Sequence, residues 1–235
     1  MPHASFKLDL EPRGHVTIER VVNGPIETNT YFVMSDGEAV AIDPAWDGEE
    51  LAHGFAERHP DVNVVAIACT HGHADHVGGV AGMRKVLGEQ VPYLLPADDV
   101  ETVADSIANQ RANWNIQTPD PGEPTRLLRE GDVIPFGDTR LQVFSVPGHT
   151  PGGVVLFCAA ENGYEAFVGD TLFPGGHGRT DLKGGDQQAI ERSLAKMARL
   201  MPEDTRCMIG HGPDTTMERE RRDNLFMRLS LEHGL

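Results

Sequence analysis

Apolar positions divide the chain into short strand-like runs and a few helical ones. Val16–Val22, Thr30–Met34 and Ala39–Ile42 are separated by Asn-Gly-Pro and Ser-Asp-Gly turn signals, which predicts a meander. Asp47–Arg58 has Leu51 and Phe55 four apart and predicts a helix. Val62–Thr70 is almost unbroken apolar sequence, the pattern of a strand covered on both faces. A polar, histidine-rich loop follows. Val77–Leu87 then places Val80, Met83 and Leu87 on one helical face, and residues 97–118 predict a further helix before the proline-rich break at 119–124.

The second half repeats this style. Leu141–Val146, Val154–Ala159, Tyr164–Val168 and Arg206–Ile209 read as strands. In Gly185–Met201, Ile190, Leu194, Met197 and Met201 follow helical spacing and Pro202 lies just beyond. The polar segment after His211 reads as helical. The expectation is a mixed α/β chain with two sheets, one per half, helices outside and polar loops at strand ends. It is read as a single domain over residues 1–235, with two similar halves and a helical insert at about 97–126.

Composition narrows the function classes. Of 235 residues, 39% are hydrophobic and 24% charged, as in ordinary soluble domains. No apolar run approaches the roughly 20 residues that cross a bilayer. Met1–Glu11 lacks a basic stretch followed by an apolar core, so no secretory signal is expected and a cytoplasmic location is. A net charge of −16 repels phosphate backbones and anionic membranes, and the densest basic cluster, Arg219–Arg222, is interrupted by Glu220. A small molecule is therefore the expected partner, not nucleic acid or membrane; oligomeric state is left open. Cys69, Cys158 and Cys207 each sit in apolar sequence and read as buried, reduced thiols.

The histidines are unevenly spread. Thr70-His71-Gly72-His73-Ala74-Asp75-His76 places four potential metal ligands in six residues, directly after a strand. Three more candidates share one grammar of strand, glycine and ligand: His149 in Pro-Gly-His, Asp170 in Val-Gly-Asp and His211 in Ile-Gly-His. His3, His15, His53, His59 and His233 read as surface residues.

In order and type, His71-x-His73-x-Asp75-His76, His149, Asp170 and His211 resemble the ligand set of the metallo-β-lactamase superfamily, over about Val16 to Asn224. The resemblance implies a four-layer αββα sandwich with metals at the upper edges of the sheets. It implies one metal on His71, His73 and His149, a second on Asp75, His76 and His211, and Asp170 bridging them. It also gives Asp43 a supporting role and Asp75 a catalytic one, orienting the attacking water or taking its proton. Two divalent ions are implied, Zn²⁺ first, with Fe or Mn as alternatives.

An aspartate at 170, where true β-lactamases of the family tend to carry Cys or Ser, resembles the thioesterase, lactonase, nuclease and persulfide-oxidising branches. The stretch from Gly169 to Leu182 most resembles the hydroxyacylglutathione hydrolases (glyoxalase II), which implies hydrolysis of a thioester or related acyl substrate. Where those enzymes have a Lys and a Tyr, this chain has Arg179 and Asp181. Arg179 is the candidate substrate-binding side chain, with an ion pair to Asp181 as the alternative. The competing readings are a mononuclear iron persulfide dioxygenase on His71, His149 and Asp170, a lactonase, and a degenerate protein whose metal is only structural. Trp114 reads as the core anchor of its helix, with an apolar lid formed with Ile116 and Phe173 as the alternative. His177 is unassigned.

Overall fold

Two sheets lie face to face, and both are built by the period-2 alternation of their strands. The computed structural model describes residues 6–235. Its first half contains β1 (Thr17–Asn23), β2 (Thr28–Ser35), β3 (Glu38–Ile42), α1 (Gly48–Arg58), β4 (Asn63–Ala68), α2 (Ala74–Val77), α3 (Val80–Leu87), β5 (Tyr93–Pro96), α4 (Val100–Trp114) and β6 (Arg126–Leu128). The strands pair in chain order, antiparallel as far as β3 and parallel from there on.

The second half contains β7 (Val133–Phe136), β8 (Thr139–Ser145), β9 (Val154–Ala160), β10 (Gly163–Gly169), the hairpin β11 (Leu172–Phe173) and β12 (Gly176–His177), α5 (Gln187–Leu200), β13 (Arg206–Ile209), β14 (Thr215–Thr216), α6 (Met217–Asp223) and α7 (Leu225–Glu232). Its sheet runs β14-β13-β10-β9-β8-β7, with β10 and β13 parallel.

Alternate residues of β2 make the layering explicit. Tyr31 and Val33 face the second sheet, where Tyr31 meets Phe167 edge-on with centroids 5.2 Å apart. Phe32 and Met34 face the helical layer, where Phe32 stacks on Phe55 of α1 at 4.2 Å. On the other side, Phe144, Val155 and Val168 pack against Leu194 and Met197 of α5 and Met227 of α7. Three apolar layers thus separate helix, sheet, sheet and helix, the expected αββα sandwich. The three cysteines are buried and unpaired. No helix among the described residues is long and apolar enough to cross a membrane.

Several boundaries differ from the sequence reading for physical reasons. The histidine-rich stretch is not all loop: Asp75 and His76 lie on α2, a single helical turn separated from α3 by Gly78 and Gly79. The helical insert expected at about 97–126 gives way at Arg126 to Arg126–Leu128, which rejoins the first sheet beside β5. Strands β5, β6, β7 and β14 escape the periodicity reading because each has only two to four residues. Pro135 sits inside β7, which is tolerated because β7 is an edge strand. His15 and His53 are exposed as expected and His3 lies outside the described residues, but His59 is half-buried with Nε2 2.6 Å from Glu19.

One buried carboxylate opposes the fold. Glu165 on β10 lies opposite Arg206 on β13, with Arg206 Nε 3.1 Å from its Oε2. Burial pushes the Glu165 carboxyl up to about 7, against the attraction of Arg206. A raised carboxylate pKa means that the folded state binds the extra proton, so stability falls as pH rises from about 4.5 to 7. Glu165→Gln is therefore expected to stabilise the protein at pH 8 by up to about 3 kcal/mol. The gain should shrink towards pH 5 in urea unfolding; a pH-independent difference would contradict the assignment.

Candidate metal centre

Every sequence-predicted ligand lies just beyond the carboxyl end of a strand, on the same edge of the sandwich. β4 leads into His71, His73, Asp75 and His76; β8 leads into His149; β10 leads into Asp170; and β13 leads through Gly210 into His211. The glycine before a ligand has a packing reason. A Cβ on Gly210 would fall 2.0 Å from Asp170 Oδ1 and 2.8 Å from His76 Cε1. Only a bare backbone lets β13 pass the carboxylate.

Four imidazoles are anchored through one nitrogen each. His76 Nδ1 lies 2.9 Å from Asp43 Oδ2, His149 Nδ1 2.8 Å from the Arg179 carbonyl and His211 Nδ1 3.1 Å from the Ile26 carbonyl. A carbonyl can only accept, so Nδ1 of His149 and His211 carries a proton and Nε2 is the nitrogen turned towards the cluster. His71 Nδ1 lies 3.1 Å from Thr70 Oγ1. Nε2 of His71, His76 and His149 and Oδ1 of Asp170 are buried with no hydrogen-bond partner among the described residues. Four orphaned ligand atoms at one place form an environment that a cation would satisfy.

The donors form two groups, His71, His73 and His149 in one and Asp75, His76 and His211 in the other, with ligand atoms in each within 4.8 Å of one another. Asp170 touches both: Oδ2 lies 3.6 Å from His149 Nε2 and 3.5 Å from His211 Nε2, and Oδ1 lies 3.5 Å from His76 Nε2. Asp43, His71 and His76 also cluster, but the oxygens of Asp43 are already committed. Oδ1 accepts from Thr70 N at 2.7 Å, and Oδ2 accepts from Thr70 Oγ1 at 2.7 Å beside His76. Asp43 is thus a support for the histidine segment.

Burial drives His71 well below the usual imidazole range and takes His73 down to about 4, helped by the neighbouring imidazoles. Burial also opposes the charging of His76 and His211, but nearby carboxylates outweigh it. Asp170, Asp43 and Asp75 raise His76 to about 8, and Asp170 with Asp75 raises His211 to about 11. Asp170 resists its own burial through His76, His211 and His149 and is held well below the usual carboxylate range. The carboxylates therefore create a negative field that calls for positive charge.

A family model, the metallo-beta-lactamase superfamily, matches residues 23–211. The chain belongs to the metallo-β-lactamase superfamily. Hydroxyacylglutathione hydrolase GloC of Haemophilus influenzae is 29% identical over 90% of this chain and 98% of its own. Two solved structures are also similar. The BLEG-1 B3 metallo-β-lactamase has a TM-score of 0.80 and 31% identity, covering 90% of this chain and 99% of its own. TTHA1623 in a di-iron-bound form has a TM-score of 0.78 and 38% identity, covering 88% and 99%.

Around this metallo-β-lactamase site, the structure adds residues that the sequence reading missed. Gln110 of α4 donates to Asp75 Oδ1 at 3.3 Å and is itself held by Thr118 Oγ1 at 2.6 Å. Asn29 of β2 reaches across the sandwich, donating through Nδ2 to the carbonyls of Ile209 at 2.9 Å and Gly212 at 3.0 Å on either side of His211. Neither carries a motif, because each acts through a neighbour distant in sequence.

Trp114 departs from the core-anchor expectation. It is not a core anchor but 53% exposed, at the rim of a cleft of about 160 Å³ over the centre. Of the three residues of the alternative lid, Trp114 lines that cleft and Ile116 and Phe173 do not; Ser106, Asn109 and Gln110 of α4 line it beside Trp114. Arg179 also lines it, and its guanidinium pairs with Asp181 through contacts of 2.7 and 2.8 Å. Its carbonyl positions His149. His177 lies on β12, edge-on to Phe226 at 4.4 Å.

Gly210→Ala tests the packing at Asp170. The extra methyl should cost about 1–3 kcal/mol in urea unfolding by displacing the carboxylate. It should also lower the metal content of the purified protein. Unchanged stability and metal content would contradict the close approach.

Proposed function

We propose that this chain is a dinuclear metal-dependent hydrolase acting on a small thioester, similar in chemistry to the hydroxyacylglutathione hydrolases. The observation that carries this reading is the shared carboxylate: two ligand groups lie side by side, and Asp170 reaches both. His71, His73 and His149 would hold one ion, and Asp75, His76 and His211 the other, with Asp170 between them. In a mononuclear centre of His71, His149 and Asp170, the second group would have no function. Zn²⁺ suits the donors, and the di-iron form of TTHA1623 makes iron the first alternative.

When bound, two divalent ions supply a hydroxide nucleophile at neutral pH and a Lewis acid for the carbonyl. The side chains do the rest. Asp43 and the carbonyls of Arg179 and Ile26 hold His76, His149 and His211 with Nε2 turned inward. Gln110 fixes the Asp75 carboxylate through Oδ1, so that Oδ2, 3.2 Å from His211 Nε2, would serve as the ligand atom and orient the attacking water beside it. Ser106 and Asn109 offer neutral hydrogen bonds to a polar acyl group, and Arg179, paired with Asp181, offers its remaining guanidinium N–H groups at the rim.

The cleft favours thioesters over amides. Apart from the proposed ligands, Arg179 is the only ionisable residue lining it among the described residues. An amine leaving group needs a proton donor. A thiol with a pKa near 8.5 leaves as thiolate without one. The likeness to BLEG-1 and to GloC sets the comparison: β-lactams, S-lactoylglutathione and other thioesters, and lactones belong on one substrate panel.

Freshly purified protein is expected to hold close to two metal ions per chain by elemental analysis and to turn over thioesters faster than β-lactams or lactones. Asp170→Asn should lower kcat by about 100-fold or more and reduce metal content. A fully active, fully loaded Asp170→Asn would contradict the dinuclear centre. One iron per chain with oxygen uptake on a persulfide would replace it by the dioxygenase.

A further inference from the structure

Asp99 is fully buried, and among the described residues no Lys or Arg lies within ion-pair distance of it. It occupies the residue before α4, yet its side chain does not cap that helix's backbone. An aspartate there ordinarily accepts from the first backbone N–H groups of its helix. Here the carboxylate turns to two loops instead. Oδ2 accepts from Gly72 N at 2.8 Å and from Thr150 Oγ1 at 2.7 Å. Oδ1 accepts from Gly152 N at 2.7 Å and from Thr102 Oγ1 at 3.1 Å. Burial raises its proton affinity, against the pull of these four donors.

Two glycines are cut to fit this residue. A Cβ on Gly72 would lie 2.7 Å from Asp99 O and 3.1 Å from Asp99 Cβ. A Cβ on Gly152 would lie 2.7 Å from Asp99 N and 2.8 Å from Asp99 Cγ. Gly72 separates His71 from His73 on the first sheet's loop, and Gly152 follows His149 on the second sheet's loop. The three imidazoles of one proposed metal position therefore come from two sheets, and Asp99 ties the two loops together. His73 and His149 stand with ring centroids 4.5 Å apart at that junction.

We infer that Asp99 is a positioning residue that sets the three-histidine position by holding the His71–His73 loop against the His149 loop, a role that rests on reading these side chains as metal ligands. It touches none of the three imidazoles. It acts through backbone N–H groups, so only a side chain accepting on both oxygens serves. In Asp99→Asn one oxygen becomes an NH₂. The threonine hydroxyl facing it can rotate, but the glycine N–H cannot, and one loop loses its anchor.

The test is titration of cobalt(II) into demetallated protein, read by visible absorption and chelator competition. His211→Ala, which lacks a ligand of the other position, supplies the reference spectrum of the three-histidine position. Wild type is expected to take two equivalents. Asp99→Asn should weaken the three-histidine position by about 10- to 100-fold and leave the other within about twofold. Thr150→Val removes one of the four bonds without changing shape. It should weaken the same position less, with an unchanged circular dichroism spectrum, and it decides the matter if Asp99→Asn does not fold. Wild-type affinity at both positions in the folded variants, or equal weakening of both, would overturn the role of Asp99 while leaving the dinuclear reading intact. Failure of the wild type to take cobalt would overturn both.

Discussion

A carboxylate set in the seam between two sheets, at the base of the cleft, is the constraint on which this site depends. Asp170 sits where burial strongly disfavours its charge, and imidazoles from three separate strand ends keep it ionised. A buried anion of this kind is tolerable only if compensating groups are held in place, since an unpaired buried charge costs several kcal/mol. The surrounding polar bonds answer that need. Asp43, Asn29, Gln110 and main-chain carbonyls fix the ligands from behind, so that their free atoms face one another before any cation arrives.

That rigidity separates the work of the layers. The apolar strata position the strand ends to within a few ångströms, and hydrogen bonds aim the side chains. Three of those bonds link one sheet's framework to the other sheet's ligand segment: one from His211 to the Ile26 carbonyl, and two from Asn29 to the carbonyls flanking His211. The helical layer contributes as well. α4 reaches over the edge with Gln110 on a ligand and Ser106 and Asn109 beside the cleft, so one element serves both the metal centre and substrate choice.

Much of this was legible in the sequence because the relevant signals are local. The long buried strands announce themselves by apolar runs, and the His71–His76 cluster and the glycine-ligand pairs announce themselves by spacing. The short strands β5, β6 and β7 do not, because three or four residues carry too little period to distinguish them from loop. Trp114 was misplaced because helical spacing alone does not say whether a face has a neighbour, and α4 buries little besides Gln110. Asn29 and Gln110 carry no motif at all. Their partners lie up to 183 residues away, a relation only the folded chain expresses.

The cross-sheet bonds also bear on how the protein comes to exist. Ile26 and His211 are 185 residues apart, and Thr28 pairs with His211 in an isolated bridge. Neither proposed metal position is complete until the two sheets have docked, since each takes ligands from both halves of the chain, and closing such large loops is a late, entropically costly event. The first half of the chain, emerging alone, carries four of the seven ligands with nothing to finish either cluster. A cation that prefers the completed centre would draw the folding equilibrium towards the docked sandwich by mass action. Metal supply would then govern how long newly made chains spend with their sheet faces uncovered, and so their exposure to aggregation and proteolysis.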